Sequence, residues 1–259
     1  MYQNYIFDLY GTLVDIRTNE RKPSLWKHMA MYMTLQGASY TAAELKKAYE
    51  KHIEQIRSEN HQRITAIPTK QKFPQEFALF MNYAPTLREI EVNLAEVLRR
   101  LYLVKGITPT EEMIFHWALM FRALSLDHVR LYDGAKNLLE ELHLRNKKVY
   151  LLSNAQRLFT EPELRSLGIY DLFDDVFISS DLGVMKPSPL FYGALLEKYH
   201  LIPEESVMIG NDWQADAWGA YKNGLATMYI HTAQSPEVMG ELPPGCRILN
   251  CISEVPLTL

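Results

Sequence analysis

Four short segments carry side chains that could do chemistry together. Asp8 follows the apolar run Tyr5-Ile6-Phe7. Ser153 and Asn154 follow Val149-Tyr150-Leu151-Leu152. Lys186 stands before Pro187, downstream of Val176-Phe177-Ile178. Asn211 and Asp212 follow Val207-Met208-Ile209-Gly210, with Asp216 a helical turn beyond Asp212. A carboxylate can attack an electrophile, a hydroxyl can donate to an anion, and an ammonium can neutralise developing charge. Clustered side-chain oxygens suit a hard cation. Singly, each residue has a plainer reading. A strand-end Asp or Ser caps the next helix, and a lysine before proline sits in a surface loop. Their shared setting sets them apart, because ligands of open parallel sheets bind beyond the carboxyl ends of the strands.

The elements around these segments predict such a sheet. Tyr5-Ile6-Phe7 reads as a buried strand that stops at Asp8 and turns at Gly11-Thr12. From Ser24 to Leu126 the pattern is helical. Thr41 with Glu44, and Thr86 with Glu89, read as capping boxes. Leu45, Tyr49, His52, Ile53 and Ile56 share one helical face; Ile90, Leu94, Val97, Leu98 and Leu101 share another. A further helix is expected over Glu111–Leu124, and the polar stretch Asn60–Pro74, with Pro68 and Pro74, reads as a loop. After Asp133-Gly134 the pattern changes. A helix over about 135–145, the three apolar runs above, helices from Ser188 and over Ala215–Lys222, and strands at Thr227–Ile230 and Arg247–Leu249 alternate as in βαβ units. The first strand belongs with this region, so the helical segment is an insertion.

Composition narrows the function classes. The chain has 259 residues, 47% of them apolar and 22% charged, with a mean hydropathy of −0.17. At ~150 residues per domain this is one large domain or two unequal ones, globular rather than disordered. No apolar run approaches the ~18 residues of a membrane span. The amino-terminal residues lack a basic stretch and a small-residue cleavage site, and read as a strand rather than a signal peptide. Cys246 and Cys251 make neither a disulfide framework nor a zinc site and are expected as free thiols in a reducing cytoplasm. A net charge of −4 and a pI of 6.1 give no electrostatic case for nucleic acid, and no membrane partner is expected. Residues 15–130 carry +4 and the remainder −8, a division that suits an anionic substrate held beside a cation.

Asp8-Leu9-Tyr10-Gly11-Thr12-Leu13, Leu152-Ser153-Asn154, Lys186-Pro187 and Gly210-Asn211-Asp212 with Asp216 follow, in order, the four motifs of the haloacid dehalogenase (HAD) superfamily. The chain resembles its helical-cap class along its whole length: a Rossmann-like core at 1–14 and 131–259, and a helical cap at 15–130. The resemblance implies that Asp8 is a nucleophile forming a covalent ester. It also implies that backbone amides around Leu9–Gly11, with Thr12 and Asn154, hold substrate. Ser153 would donate to the transferred group and Lys186 would neutralise charge. Mg²⁺ would be held by Asp8, the Tyr10 carbonyl, and Asn211 or Asp212, with Asp216 orienting waters or Lys186.

Two departures from the family pattern pull apart. Phosphatases of the superfamily usually place an Asp, the general acid and base, where this chain has Tyr10. Tyrosine titrates near ~10 and is a poor base at neutral pH. The 2-haloacid dehalogenases carry a tyrosine there, since a leaving halide needs no proton. In a plainer reading Tyr10 packs against the cap hinge. Conversely, Asn211, Asp212 and Asp216 resemble the metal-binding phosphatases, although many of those read Gly-Asp where this chain has Gly210-Asn211. The expected activity is Mg²⁺-dependent hydrolysis of a small phosphorylated metabolite through an aspartyl-phosphate at Asp8. The alternatives are metal-independent 2-haloacid dehalogenation and a ligand-binding or regulatory protein with little turnover. His28, His52 and His116 lack ligand spacing, and His231, after a strand, could border the site. Trp213, Trp218 and the Met31–Met33 region read as packing, while Lys22, Trp26, Lys70 and Lys72 are cap candidates for specificity.

Overall fold

The computed structural model describes residues 2–66 and 83–257. Six parallel strands form the central sheet: β1 (Asn4–Phe7), β4 (Lys148–Ser153), β5 (Asp175–Ile178), β6 (Ser206–Gly210), β7 (Ala226–Ile230) and β8 (Arg247–Leu249). Their spatial order is β5-β4-β1-β6-β7-β8. The chain steps outward from β1 through β4 to β5, then returns to the other side of β1 at β6. That reversal opens a crevice at the carboxyl end of β1, where α/β sheets bind ligands. The fold is a Rossmann-like α/β sandwich.

Both faces of the sheet are covered, so its inner strands read as unbroken apolar runs. Tyr5, Phe7, Val149, Leu151, Val207 and Ile209 face α5 (Ala135–Leu144) and α6 (Arg157–Ser166). Ile6, Tyr150, Leu152 and Met208 face α8 (Pro189–Lys198). A third apolar cluster lies among α1 (Pro23–Leu35), α2 (Ala42–Ala66), α3 (Leu94–Leu103) and α4 (Glu111–Ser125). It is centred on Met29, Leu45, Leu98, Trp117 and Phe121, and Phe159 of α6 joins it, stacked 6.3 Å from Phe121. This helical layer leaves and rejoins the sheet region through an antiparallel ribbon, β2 (Val14–Thr18) with β3 (Leu126–Leu131).

Several sequence expectations change. The helical pattern of the sequence runs through Leu126, but α4 stops at Ser125 and Leu126 opens β3; a short, half-exposed ribbon has too few residues for its alternation to stand out. The polar stretch from Asn60 continues as α2 to Ala66, because buried Ile56 and Ile64 share a face and the Asn60 Nδ2 donates to the Glu91 carbonyl. The rest of the expected loop, with Pro68, Lys70, Lys72 and Pro74, lies outside the described residues. Thr86 and Glu89 form their capping box on a single 3-10 turn, Leu87–Glu89. Ile90 bridges to Val184 instead of joining a helix, and α3 begins at Leu94 under an Asn93 cap. The Thr41–Glu44 box forms as expected. Near Ala215 the chain makes a π-helical turn, Trp213–Trp218, before α9 (Gly219–Lys222). No described helix is long and apolar enough to cross a membrane.

Candidate active site

Asp8 stands one residue beyond β1, between the ends of β4 and β6, with its amide on the Ile209 carbonyl (2.9 Å). The loop that follows folds back tightly. The Leu9 carbonyl accepts the amides of Thr12, Leu13 and Val14, and the Gly11 amide donates to the Val14 carbonyl. Gly11 has φ +83°, and a Cβ there would overlap the Asn211 amide. Glycine is therefore required twice, by conformation and by close approach.

Three residues expected to hold substrate lie in this loop. The Gly11 amide is committed to Val14, so its part is conformational. The Leu9 side chain lies in the core and leaves only its backbone to the site. The Thr12 hydroxyl lies 3.3 Å from both Asp8 Oδ2 and Asn211 Oδ1, bridging the two strand ends.

Lys186 is the electrostatic centre. Its Nζ donates to Asp8 Oδ1 (2.8 Å) and Asp216 Oδ1 (2.7 Å), and its side chain is 1% exposed. Burial pulls the ammonium pKa down, but the carboxylates of Asp216 and Asp8 outweigh burial and hold it above the ordinary lysine value. Complete burial pushes the Asp216 carboxyl up against the opposing pull of Lys186, and the charge of Asp8 adds to the rise. Asp216 Oδ2 also accepts the Asp212 amide (2.9 Å). It fits there because Gly210 has no side chain, and a Cβ at that position would overlap its carboxylate. Asn154 lines the cleft, and its amide clamps the Lys186 backbone, donating to the carbonyl (2.9 Å) and accepting from the amide (2.8 Å).

Ser153 ends β4 fully buried, and its hydroxyl has no partner among the described residues. A buried polar atom left unmatched costs about 1–3 kcal/mol, so the site holds a donor in reserve. Asp8, Tyr10, Ser153, Asn154, Lys186, Asn211, Asp212 and Asp216 line one cleft of about 180 Å³.

Tyr10 borders the cleft, but its phenol turns toward α6 and α4. Its hydroxyl donates to Glu163 Oε2 (2.5 Å) and lies 3.1 Å from the Thr160 hydroxyl. Arg122 Nε donates to Glu163 Oε1 (2.5 Å), closing a cluster in which the Arg122 and Glu163 side chains are 15% and 8% exposed. Burial, then the Glu163 carboxylate, raises the phenol far above its ordinary value. Tyr10 therefore stays protonated, with its one proton committed to Glu163.

The oxygen donors divide into two kinds. Asp212 Oδ1 caps the π-helical turn, accepting the amides of Gln214 and Ala215, and Asp216 serves Lys186. Asp8 and Asn211, bridged by Thr12, present hard oxygens toward the cleft. One carboxylate and one amide, beside the Tyr10 backbone, fit a cation that keeps several of its waters, as Mg²⁺ does. No three His, Cys, Asp or Glu side chains among the described residues are placed to hold a metal by themselves.

Sequence reasoning missed Gln234 and Pro236, which line the cleft from the segment after β7, and also Arg122 and Glu163. The strand-end rule could have found the first pair, since their segment follows Ile230. No local pattern marks the second pair. His231 bonds Tyr229 and lines a separate cleft with Cys251. Lys22 pairs with Asp127, Trp26 is buried in the helical layer, and Trp213 packs on Gly240.

Comparison with known proteins agrees with this architecture. The family model for haloacid dehalogenase-like hydrolases matches residues 2–224. A phosphoserine phosphatase of Thermus thermophilus is 30% identical over 107 residues, 41% of this chain and 43% of that one. The chain spans less than half the length of such curated relatives. The crystal structure of the HAD-hydrolase YfnB of Bacillus subtilis, bound to magnesium, superposes with a TM-score of 0.52 at 19% identity, covering 98% of this chain and 96% of that one. A dehalogenase structure superposes with a TM-score of 0.51 at 20% identity, covering 98% and 95%. At these identities the structural likeness is one of fold. The chain belongs to the haloacid dehalogenase-like hydrolases.

Proposed function

We propose that this hydrolase is a phosphatase of small phosphomonoesters, working through a phosphoryl ester on Asp8. The observation that carries the reading is the pairing of a buried, protonated Lys186 with an unpartnered Ser153 hydroxyl around one strand-end carboxylate. Both are donors, and both face a cleft where an anion's oxygens can collect. A carboxylate oxygen of Asp8 bonds phosphorus as the bond from phosphorus to the leaving oxygen breaks, and the departing alkoxide takes its proton from solvent water. Lys186 and Ser153 donate to the phosphoryl oxygens while Asn154 keeps Lys186 in place. Water then attacks phosphorus, releasing inorganic phosphate and restoring Asp8. A bound Mg²⁺ supplies charge neutralisation of the phosphoryl oxygens; Asp8, Asn211 and the Tyr10 carbonyl would hold it. Asn211 is preferred over Asp212, because Asn211 shares the Thr12 hydroxyl with Asp8 whereas Asp212 Oδ1 caps the π-helical turn.

Residues 1–14 and 131–259 form the catalytic core in this reading, and 15–130 the cap. Every described cleft residue comes from the core. The enzyme acts in the cytoplasm, in keeping with two unpaired cysteines, Cys246 and Cys251.

One observation favours the rival reading. With its proton committed to Glu163, Tyr10 supplies none to a departing alkoxide, whereas halide displacement from carbon needs none. A panel of small phosphomonoesters and 2-haloacids, assayed with Mg²⁺ and with chelator, separates the two. Mg²⁺-dependent phosphate release is expected; chelator-resistant halide release would establish the rival.

A further inference from the structure

The segment after β7 is built into the site more firmly than a surface loop requires. The Thr232 hydroxyl donates to the Gly11 carbonyl (2.9 Å), fastening the segment to the loop that follows Asp8. The Ser235 amide closes a turn on the Thr232 carbonyl, and the Ser235 hydroxyl accepts the Thr232 amide. Further along, Gly240 lies against the Trp213 ring, and the Trp218 indole donates to the Glu241 carbonyl. Between these anchors, half-buried Gln234 and exposed Pro236 line the Asp8 cleft.

The Gln234 amide is held in one sense. Its Nε2 donates to Asp15 Oδ1 (2.7 Å). Asp15 is itself fixed by His128 (3.0 Å) and Arg130 (2.9 Å), both across the β2–β3 ribbon. Turning the amide over would set its oxygen against that carboxylate. The donor side is therefore spent on Asp15, and Oε1 has no donor among the described residues. Gln234 lines the Asp8 cleft, while Asp15, which holds its amide, lines a separate one. Lys186 and Ser153 offer donors for an anion, while Gln234 offers an acceptor. At about 180 Å³ the cleft is below the ~300–1,000 Å³ of pockets for drug-sized ligands.

We propose that Gln234 selects the leaving group: its Oε1 accepts a hydrogen bond from a hydroxyl or ammonium group a few atoms from the phosphate. The substrate class is then short, donor-bearing phosphomonoesters. This rests on the phosphatase reading. A site built to pair with such a donor rejects the analogue that lacks it, because the acceptor is left unmatched.

The test compares kcat/KM for glycerol 3-phosphate, phosphoethanolamine and n-propyl phosphate, with p-nitrophenyl phosphate as a control for turnover. The native protein should prefer the two donor-bearing esters over propyl phosphate by about tenfold or more. Gln234→Met, similar in size and without an acceptor, should bring those ratios close to one, mainly through a raised KM for the donor-bearing esters. Gln234→Glu paired with Asp15→Asn, so that no second carboxylate faces the new one, keeps acceptor oxygens, adds charge, and should favour phosphoethanolamine over glycerol 3-phosphate more than the native protein does. Unchanged ratios in both variants, or a native protein indifferent to the three esters, would overturn the inference and leave the phosphatase reading standing. Absence of Asp8-dependent hydrolysis of all four compounds would overturn both.

Discussion

Two buried polar clusters meet at the loop that begins with Asp8, and they are built in different ways. In one, Lys186 joins Asp8 and Asp216, and all three side chains come from segments that follow strands of the parallel sheet. In the other, Glu163 of α6 joins Arg122 of α4 and the phenol of Tyr10. The first keeps an unused donor, Ser153, at its edge. The second has its groups committed to one another. An anion can therefore be received at the first cluster, whereas the second ties the helical layer to the Asp8 loop. Tyr10 belongs to the second, although its position in the motif suggests the first.

The largest effect should come from breaking the first cluster at its cation. Lys186→Met leaves two buried carboxylates facing each other, and turnover should fall by at least ~10³-fold. Removing one partner of a buried ion pair typically costs about 3–5 kcal/mol, so the melting temperature should drop as well. Retained turnover at native stability would mean that Lys186 neutralises nothing in the reaction.

Arg122→Met tests the second cluster. It strands the Glu163 carboxylate and should destabilise the fold by about 3 kcal/mol, measured by urea unfolding. Arg122→Met with Glu163→Gln should recover much of the loss, because no unpaired charge remains. If the single variant is as stable as the native protein, the cluster does not fasten the helical layer.

Ser153→Ala should separate function from stability. Its hydroxyl has no partner to lose, so the unfolding midpoint should hold or rise slightly, while kcat/KM falls by about 10-fold or more. Loss of stability with unchanged kinetics would assign the hydroxyl to the fold.

Tyr10→Phe should have the smallest effect on turnover. It removes one hydrogen bond to a charged group, about 1.5–3 kcal/mol of stability, and should change kcat only a few-fold, because the phenol passes no proton to substrate. A loss within the ~10²–10⁴-fold range of general acid–base catalysis would restore Tyr10 to the chemistry. Tyr10→Asp, which would otherwise supply the missing acid, sets a carboxylate beside Glu163 and should lower stability.

The contrast also marks what the sequence made legible. Strands such as Val149–Leu152 and Val207–Ile209 are covered on both faces, so their apolar runs stand out, and each delivers a polar residue to one sheet edge. Asp8, Ser153 and Lys186 could be placed from that pattern. Arg122 and Glu163 could not, because the partners lie 41 residues apart on separate helices and neither stands at a strand end. The cap that Asp212 Oδ1 makes forms only with the π-helical turn, which no local pattern announces. The β2–β3 ribbon escaped because its five and six residues are mostly half-exposed.

The central claim is that phosphate passes through Asp8. It is tested most directly by single turnover with a phosphomonoester labelled in its phosphoryl group, quenched in acid. The label should appear on the protein, map to the peptide holding Asp8, come off with hydroxylamine as an acyl phosphate does, and be absent from Asp8→Asn. Release of labelled phosphate with none captured on the native protein, together with normal turnover by a correctly folded Asp8→Asn, would contradict the account.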